Sequence, residues 1–155
     1  MLREKLRERL KESMLAKEEI SVATIRLIMA SLKDRDIAAR SKGNADGISD
    51  DEILSMMQSM IKQRRESASM YERGGREELA ARELAEITVI ESFMPRQMSE
   101  AETADAIQAT IKELDAASLK DMGRVMARMK ELYAGQMDFG HASAVVKDKL
   151  MGSQG

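Results

Sequence analysis

Basic side chains at helical spacing are the residues of this chain whose types and spacing could do chemistry. The run KQRRES, residues 62–67, places one lysine and two arginines within a single helical turn. Guanidinium and ammonium groups on a rigid helix can bind nucleic-acid phosphates. The same residues would also be satisfied on a solvated face with internal ion pairs such as Lys62–Glu66. The residues alone favour the solvated face, and the candidate RNA-binding residues of this run are Lys62, Arg64 and Arg65.

A second basic group follows near the C-terminal end. Lys120, Arg124 and Arg128 are spaced by four residues, so they form a stripe along one side of a predicted helix, opposite a Met-rich stripe. Such a stripe could follow an RNA backbone, or it could be the outer face of an amphipathic helix. No aromatic residue is interleaved with it, so we do not expect base stacking there.

Other reactive residue types are scarce. The chain has no Cys, which excludes disulfides, thiolate nucleophiles and cysteine-ligated metal sites. Its one histidine, His141, has no nucleophile or orienting partner suggested by the sequence, and a single imidazole makes a histidine metal site unexpected. The sequence therefore predicts no catalytic residue, no metal and no cofactor.

Composition points to long, charged, amphipathic helices. Of the 155 residues, 43% are hydrophobic, 34% are charged and only 3% are aromatic, with one proline. A net charge of −2 argues against a bulk nucleic-acid condenser. No apolar run approaches the ~18 residues of a membrane span. Glu4 and Glu8 in the first ten residues are not typical of a signal or transit peptide, so we expect a cytoplasmic protein.

Helical periodicity and its interruptions predict six or seven helices. The segment SKGNADG, residues 41–47, has the composition of a loop. A serine followed three residues later by an acidic residue is the pattern of a capping box at a helix start. This pattern occurs at three breaks in the periodicity, namely Ser49 with Glu52, Ser99 with Glu102, and Ser118 with Asp121.

The predicted fold is all-α, with two helical subdomains. Pro95, the only proline, stops a helix because it offers no amide and disfavours helical backbone at Met94. We expect an N-terminal bundle of longer helices over residues 1–96 and a small three-helix subdomain over residues 97–150. Residues 151–155 are expected to form a frayed tail.

Methionine is unusually frequent, with 14 copies. Met-lined surfaces can bind varied partners. At helical spacing, however, methionines belong more often to a core. The sequence favours the core but leaves open an adaptor that contacts a protein partner through its Met-rich faces.

Two stretches resemble the GatB/YqeY family. The first covers residues 62–100 and the second residues 118–135, and the similarity as a whole extends over residues 1 to 150. The residues that carry it are Lys62-Gln63-Arg64, Glu66-Ser67, Gly75-Arg76, Leu79, Glu86 and Met94-Pro95, then Lys120, Asp121, Gly123, Val125 and Met126.

The resemblance implies an all-α protein related to the tail of the B subunit of the tRNA-dependent amidotransferase. That enzyme uses glutamine to convert glutamate or aspartate misacylated on tRNA to the amide, and its tail is held to bind the tRNA. The family therefore implies a non-catalytic module that binds tRNA or assists amidation, with tRNA and amidotransferase subunits as partners. Glutamine-dependent carbon–nitrogen ligase activity would then belong to a complex, and the alternative is the adaptor with no nucleic-acid role.

Overall fold

The computed structural model describes residues 1–152 and consists of α-helices joined by short turns. No strand occurs in that part of the chain, so the predicted all-α class is confirmed. A single turn of 3₁₀ helix, Leu119–Asp121, leads directly into the sixth α-helix. The α-helices are α1 (Leu2–Leu15), α2 (Glu19–Ser41), α3 (Asp50–Arg73), α4 (Glu77–Glu91), α5 (Glu100–Glu113), α6 (Met122–Tyr133) and α7 (Phe139–Gly152).

The chain divides into two compact units between Met94 and Pro95, two residues before the boundary expected after residue 96. The last helix of the first unit already ends at Glu91. At the other end of the chain, Met151 and Gly152 belong to α7 and not to the expected tail. The rest of that tail lies outside the described residues.

The first unit packs α1 to α4 around one apolar core. Three of the four α3 methionines lie inside: Met56 and Met57 are fully buried and Met60 is 9% exposed, so the assignment of these three to the core is confirmed. Met70, the fourth, is 67% exposed. The buried members of this core are Leu2, Leu6, Ile25, Ile28, Leu32, Ile48, Ile53, Met56, Met57, Met60, Ile61, Ile87, Ile90 and Phe93.

The second unit packs α5, α6 and α7 around a separate core. Val125 and Met129 project from α6 into it and are fully buried, as are Val146 and Leu150 of α7. The buried members of this core are Ala106, Ile107, Ile111, Val125, Met129, Met137, Ala142, Val146 and Leu150.

Three apolar positions that the helical patterns assign to the inside lie on the surface, namely Met14, Leu84 and Leu132. Met14 continues a spacing of four from Leu2, but it is 50% exposed, and Ser13 is buried in its place. A helix turns through 3.6 residues, so steps of four drift by about 40° each and leave the buried face after three steps. Leu84 of α4 is 48% exposed for a related reason, because the inner face of α4 runs through Ala80, Ile87 and Ile90.

The helix ends follow the local signals of the sequence closely. All three serine-led starts are capping boxes, with both reciprocal hydrogen bonds formed. Gly75, after α3, has a φ of +73°, the left-handed conformation that closes a helix. Lys17 closes α1 in the same region, with a φ of 57°, which explains why no glycine marks the break between α1 and α2.

A buried ion pair holds α1, α2 and the loop before α3 together. Both Nη groups of Arg3 donate to the carboxylate of Asp36, one of them at 2.8 Å to Oδ1. The guanidinium also donates to the carbonyl of Ile48 at 2.8 Å, and the amide of Ile48 donates back to Asp36 Oδ1 at 3.0 Å. The Asp36 side chain is only 8% exposed. These bonds, chiefly the one from Arg3, lower the pKa of Asp36 to about 2.

Glycine is required at position 47 for two reasons. Its φ is +82°, and a Cβ there would lie 2.3 Å from Asp36 Oδ1 and 3.1 Å from Arg3 Nη2. Gly43, in the same loop, has a φ of +95°, but a Cβ there would meet nothing within 4 Å. A substitution at Gly43 therefore measures the cost of a left-handed backbone alone. A substitution at Gly47 measures that cost together with the cost of a collision with the Arg3–Asp36 pair.

We expect Gly47→Ala to destabilise the first unit clearly more than Gly43→Ala. The Gly43 change should cost about 1 kcal/mol for a left-handed alanine, and the Gly47 change about 1–3 kcal/mol more, because the ion pair must shift. Urea unfolding followed by the fluorescence of Tyr71, in a Tyr133→Phe background, reports on the first unit alone. Equal midpoints for the two variants would contradict the close approach.

The low pKa of Asp36 predicts a specific loss of stability in acid. The carboxylate stabilises the fold fully above its ordinary pKa of 3.8, and this contribution is lost as the pH falls through about 2. The difference in unfolding free energy between wild type and Asp36→Asn should therefore narrow by about 2 kcal/mol between about pH 6 and pH 2. The same tyrosine signal measures it, and a difference independent of pH would refute the assignment.

Candidate nucleic-acid interface

Arg64 of α3 is turned towards α4 and not towards water. Its Nε donates to Glu86 Oε2 at 2.9 Å, and its Nη1 donates to the carbonyl of Met60 at 3.3 Å. Both members of the Arg64–Glu86 pair are only 13% exposed. Glu86 also accepts a hydrogen bond from Arg82 at 3.3 Å. The expectation that every basic residue of this run faces water is therefore wrong at Arg64, because α4 presents an acidic partner to it.

The two other basic residues of the α3 run are accessible. The Arg65 side chain is 64% exposed and lies 3.8 Å from Glu91, a loose surface ion pair. Lys62 is exposed, and its ammonium group makes no ion pair with any described residue, so the Lys62–Glu66 pair suggested by the sequence is not formed. Lys62 and Arg65 are one turn apart on the same side of α3.

The arginines of the α6 group lie along one flank of the helix, beside its buried face. Burial of Val125 and Met129 fixes the rotation of α6, and Arg124 and Arg128, each one residue earlier, lie about 100° around the helix from them. Lys120, in the 3₁₀ turn, is exposed, and its ammonium group makes no ion pair with a described residue. Lys120 lies in the turn before α6, and Arg124 and Arg128 lie on α6 itself; RNA binding by these three residues stays a prediction.

Each arginine of the α6 group has acidic neighbours. Arg124 Nη2 lies 2.8 Å from Asp121 Oδ1. Arg128 lies 3.0 Å from Glu113 and 3.1 Å from Glu131, and these carboxylates raise its pKa. The Arg124 side chain is 56% exposed and that of Arg128 36%. Ion pairs this exposed contribute little to stability because water and salt screen them, so a phosphate could replace the carboxylates at small cost.

Asp121 has two roles in this site. It accepts hydrogen bonds from the amides of Ala117 at 2.9 Å and Ser118 at 3.3 Å, which closes the capping box, and it also pairs with Arg124. The amide of Ala117 and the Arg124 guanidinium are the main causes that lower the pKa of Asp121 to about 2. One carboxylate therefore both starts the helix and orients the first arginine of the stripe.

A third basic group was missed by the sequence patterns. Arg7 of α1 and Lys33 and Arg40 of α2 line one cavity of about 370 Å³ in the first unit. A signal was available, because Lys33 and Arg40 are seven residues apart and so lie on one side of α2. The three residues do not form a continuous run along the chain, and only the pairing of α1 with α2 brings them together.

Within residues 1–152, no group of three or more His, Asp or Glu side chains is placed to hold a metal ion. No helix in the same range has the length and apolar character needed to cross a membrane.

Comparison with known proteins identifies the family. The family described as YqeY-like protein matches residues 3–150 of this chain. The chain belongs to the YqeY-like family. The resemblance inferred from the motifs is thereby confirmed, and the seven helices described above are the helices of a YqeY-like protein.

Fungal proteins with related sequences are named Altered inheritance of mitochondria protein 41, mitochondrial. The protein from Saccharomyces cerevisiae strain YJM789 is 31% identical over 130 residues, which cover 84% of this chain and 66% of the yeast protein. The protein from Eremothecium gossypii is 34% identical over 89 residues, which cover 57% of this chain and 46% of that protein. This YqeY-like chain thus spans just under two thirds of the length of the yeast relative.

The cytoplasmic location expected from the sequence is overturned by this comparison, because these relatives are named as mitochondrial proteins. The expectation rested on acidic residues near the N-terminus. Glu4 and Glu8 belong to the first turns of α1, and their negative charge does not indicate the cellular compartment of the protein.

The burial of Arg64 predicts that it acts on stability as well as on any ligand. Arg64→Ala leaves Glu86 largely buried with only Arg82 beside it, which should cost about 1–2 kcal/mol. Lys62→Ala, two residues away on the exposed side, should change the unfolding free energy by less than about 0.5 kcal/mol. Urea unfolding with the Tyr71 signal compares the two variants. Equal stabilities would show that the Arg64–Glu86 pair contributes nothing to the fold.

Proposed function

We propose that this YqeY-like chain is a non-catalytic helical module that binds tRNA or assists tRNA-dependent amidation. Two findings support the proposal, namely membership of the family over residues 3–150 and the resemblance of its motifs to the amidotransferase tail. The observation that carries it is the basic stripe of α6. Arg124 and Arg128 lie along one flank of α6, whose rotation is fixed by its buried face, and Lys120 lies in the turn that leads into it.

The spacing of the stripe suits a phosphate backbone. Residues four apart on a helix are separated by about 6 Å along its axis, which is close to the spacing of successive phosphates on an extended strand. Lys120 is unpaired and can bind a phosphate directly. Arg124 and Arg128 exchange exposed carboxylates for phosphate oxygens, a bidentate geometry that suits the guanidinium group.

The α3 run contributes a smaller surface in the first unit. Lys62 and Arg65 are its accessible phosphate ligands, whereas Arg64 serves the packing of α3 against α4. RNA binding through the α3 run would therefore involve two cations, Lys62 and Arg65, and not three.

Carbon–nitrogen ligase activity with glutamine as the amide donor is proposed only for a complex with amidotransferase subunits. In such a complex this chain would hold the RNA, and the partner subunits would supply the reactive groups. The adaptor alternative needs exposed Met-rich faces. Met56, Met57 and Met129 are fully buried in the two cores, whereas the exposed helical methionines Met14, Met70 and Met151 lie on three different helices. The adaptor is the alternative outcome of the tRNA-binding experiment described next.

The α6 stripe predicts a measurable salt dependence of tRNA binding. Each phosphate contact lowers the slope of log affinity against log salt by about 0.9, so three contacts predict a slope of about −3. Each of Lys120→Ala, Arg124→Ala and Arg128→Ala should reduce the slope by about one. Fluorescence anisotropy with labelled bulk tRNA at several salt concentrations measures it.

Lys130→Ala is the matched control, since it removes one exposed positive charge from another side of the same helix. It should leave the slope unchanged. Binding no tighter than that of an unrelated acidic helical protein would overturn the proposal and favour the adaptor. Binding that survives loss of both the α3 and the α6 groups would overturn the assignment of the RNA contact to these groups.

A further inference from the structure

A cationic groove between α1 and α2 is a feature that the proposed function does not use. The cavity of about 370 Å³ lies within the first unit, and its charged lining consists of Arg3, Arg7, Lys33, Asp36 and Arg40. Leu6 and Leu32, which are almost completely buried, contribute an apolar wall. We call this cavity the α1–α2 groove. Its volume is within the range of small-molecule sites.

The charges of the groove do not balance. Arg3 and Asp36 neutralise each other through their buried ion pair. The side chains of Arg7, Lys33 and Arg40 make no ion pair and no hydrogen bond with any described residue, and all three residues are exposed. Three positive charges thus line one cavity whose single carboxylate, Asp36, is already bonded to Arg3 and acts on Arg40 only from beyond ion-pair distance. The three cations repel each other until an anion joins them.

The surrounding sequence adds to this field. Residues 1–42 carry eleven Lys and Arg against seven Asp and Glu, whereas the rest of the chain carries fourteen against twenty. The overall net charge of −2 therefore conceals a basic N-terminal segment. The groove lies in that segment, and an anion approaching it meets a favourable potential.

Arg3 and Asp36 give the groove a rigid base. The guanidinium is held by Asp36 and by the carbonyl of Ile48, so its position is fixed before any ligand arrives. Asp36 is the one carboxylate lining the groove, and its charge is already opposed by Arg3, by the amide of Ile48 and, more weakly, by Arg40. Arg7, Lys33 and Arg40 around this base are exposed, and their long side chains can reach a ligand in the groove.

We propose that the α1–α2 groove binds a phosphate group. Arg7 and Arg40 supply guanidinium forks that match phosphate oxygens in pairs, and Lys33 supplies a compact ammonium charge. The apolar wall limits water on one side and strengthens each charge-assisted hydrogen bond. The phosphate belongs either to a small phosphorylated molecule or to the backbone of an RNA, and the RNA source rests on the proposed function.

The test compares two triple variants with the same change in charge. The groove variant is Arg7→Gln, Lys33→Gln and Arg40→Gln. The control variant is Lys5→Gln, Lys11→Gln and Arg35→Gln, which removes three exposed cations from the same two helices outside the groove. Circular dichroism melts establish that both variants fold, as expected for changes at exposed positions.

Isothermal titration calorimetry with inorganic pyrophosphate at low salt tests the small-molecule source, and anisotropy with labelled tRNA tests the RNA source. We expect the groove variant to lose affinity by about tenfold or more for at least one probe, since three charge-assisted contacts disappear. The control variant should lose less than about threefold, the share due to net charge alone. A loss of affinity for pyrophosphate identifies the ligand of the groove as a small phosphorylated molecule. A loss of affinity for tRNA alone identifies the ligand as the RNA backbone.

Equal losses in the two variants, or binding of neither probe, would overturn the groove site. Binding of tRNA that depends on the α6 stripe but not on the groove would also overturn it, while leaving the proposed function intact. Binding of pyrophosphate without any binding of tRNA would have the opposite meaning, with the groove site supported and the RNA role rejected.

Discussion

The first unit depends on one buried ion pair. Arg3 and Asp36 join two helices that are adjacent in the chain to the loop that starts the third, and Ile48 completes the set through its own amide and carbonyl. Removing either partner would leave a charge largely out of water, which is why such pairs are costly to break even when their net contribution is modest. The close approach at Gly47 follows from this arrangement.

Much of the fold could be predicted because its signals are local. The three serine-led capping boxes, the glycine after α3 and the proline between the units act within a few residues, and each lies where the pattern indicates. The errors arise where geometry accumulates along a helix. Met14 continues a spacing of four beyond the point at which a turn of 3.6 residues has rotated it to the surface, and Leu84 lies beside the inner face that Ala80, Ile87 and Ile90 form.

The candidate site was only partly predictable, because charge pairing depends on tertiary neighbours. The α6 stripe could be recognised because its three residues lie within nine consecutive positions, in the 3₁₀ turn and the helix that follows it directly. Arg64 could not be assigned, because its partner Glu86 comes from another helix. The α1–α2 groove was invisible for the same reason: Arg7 and Arg40 are 33 positions apart in the sequence and share a cavity only after folding.

The carboxylate of Glu86 also decides how α3 and α4 are aligned lengthwise. An interface made only of methionine and isoleucine side chains tolerates many arrangements of similar free energy, since such side chains repack readily. Sliding α4 along α3 by one turn, about 5.4 Å, would separate Arg64 from Glu86 and leave two charges largely out of water. The polar contact therefore selects one register of the helical hairpin from several that the apolar surfaces alone would accept.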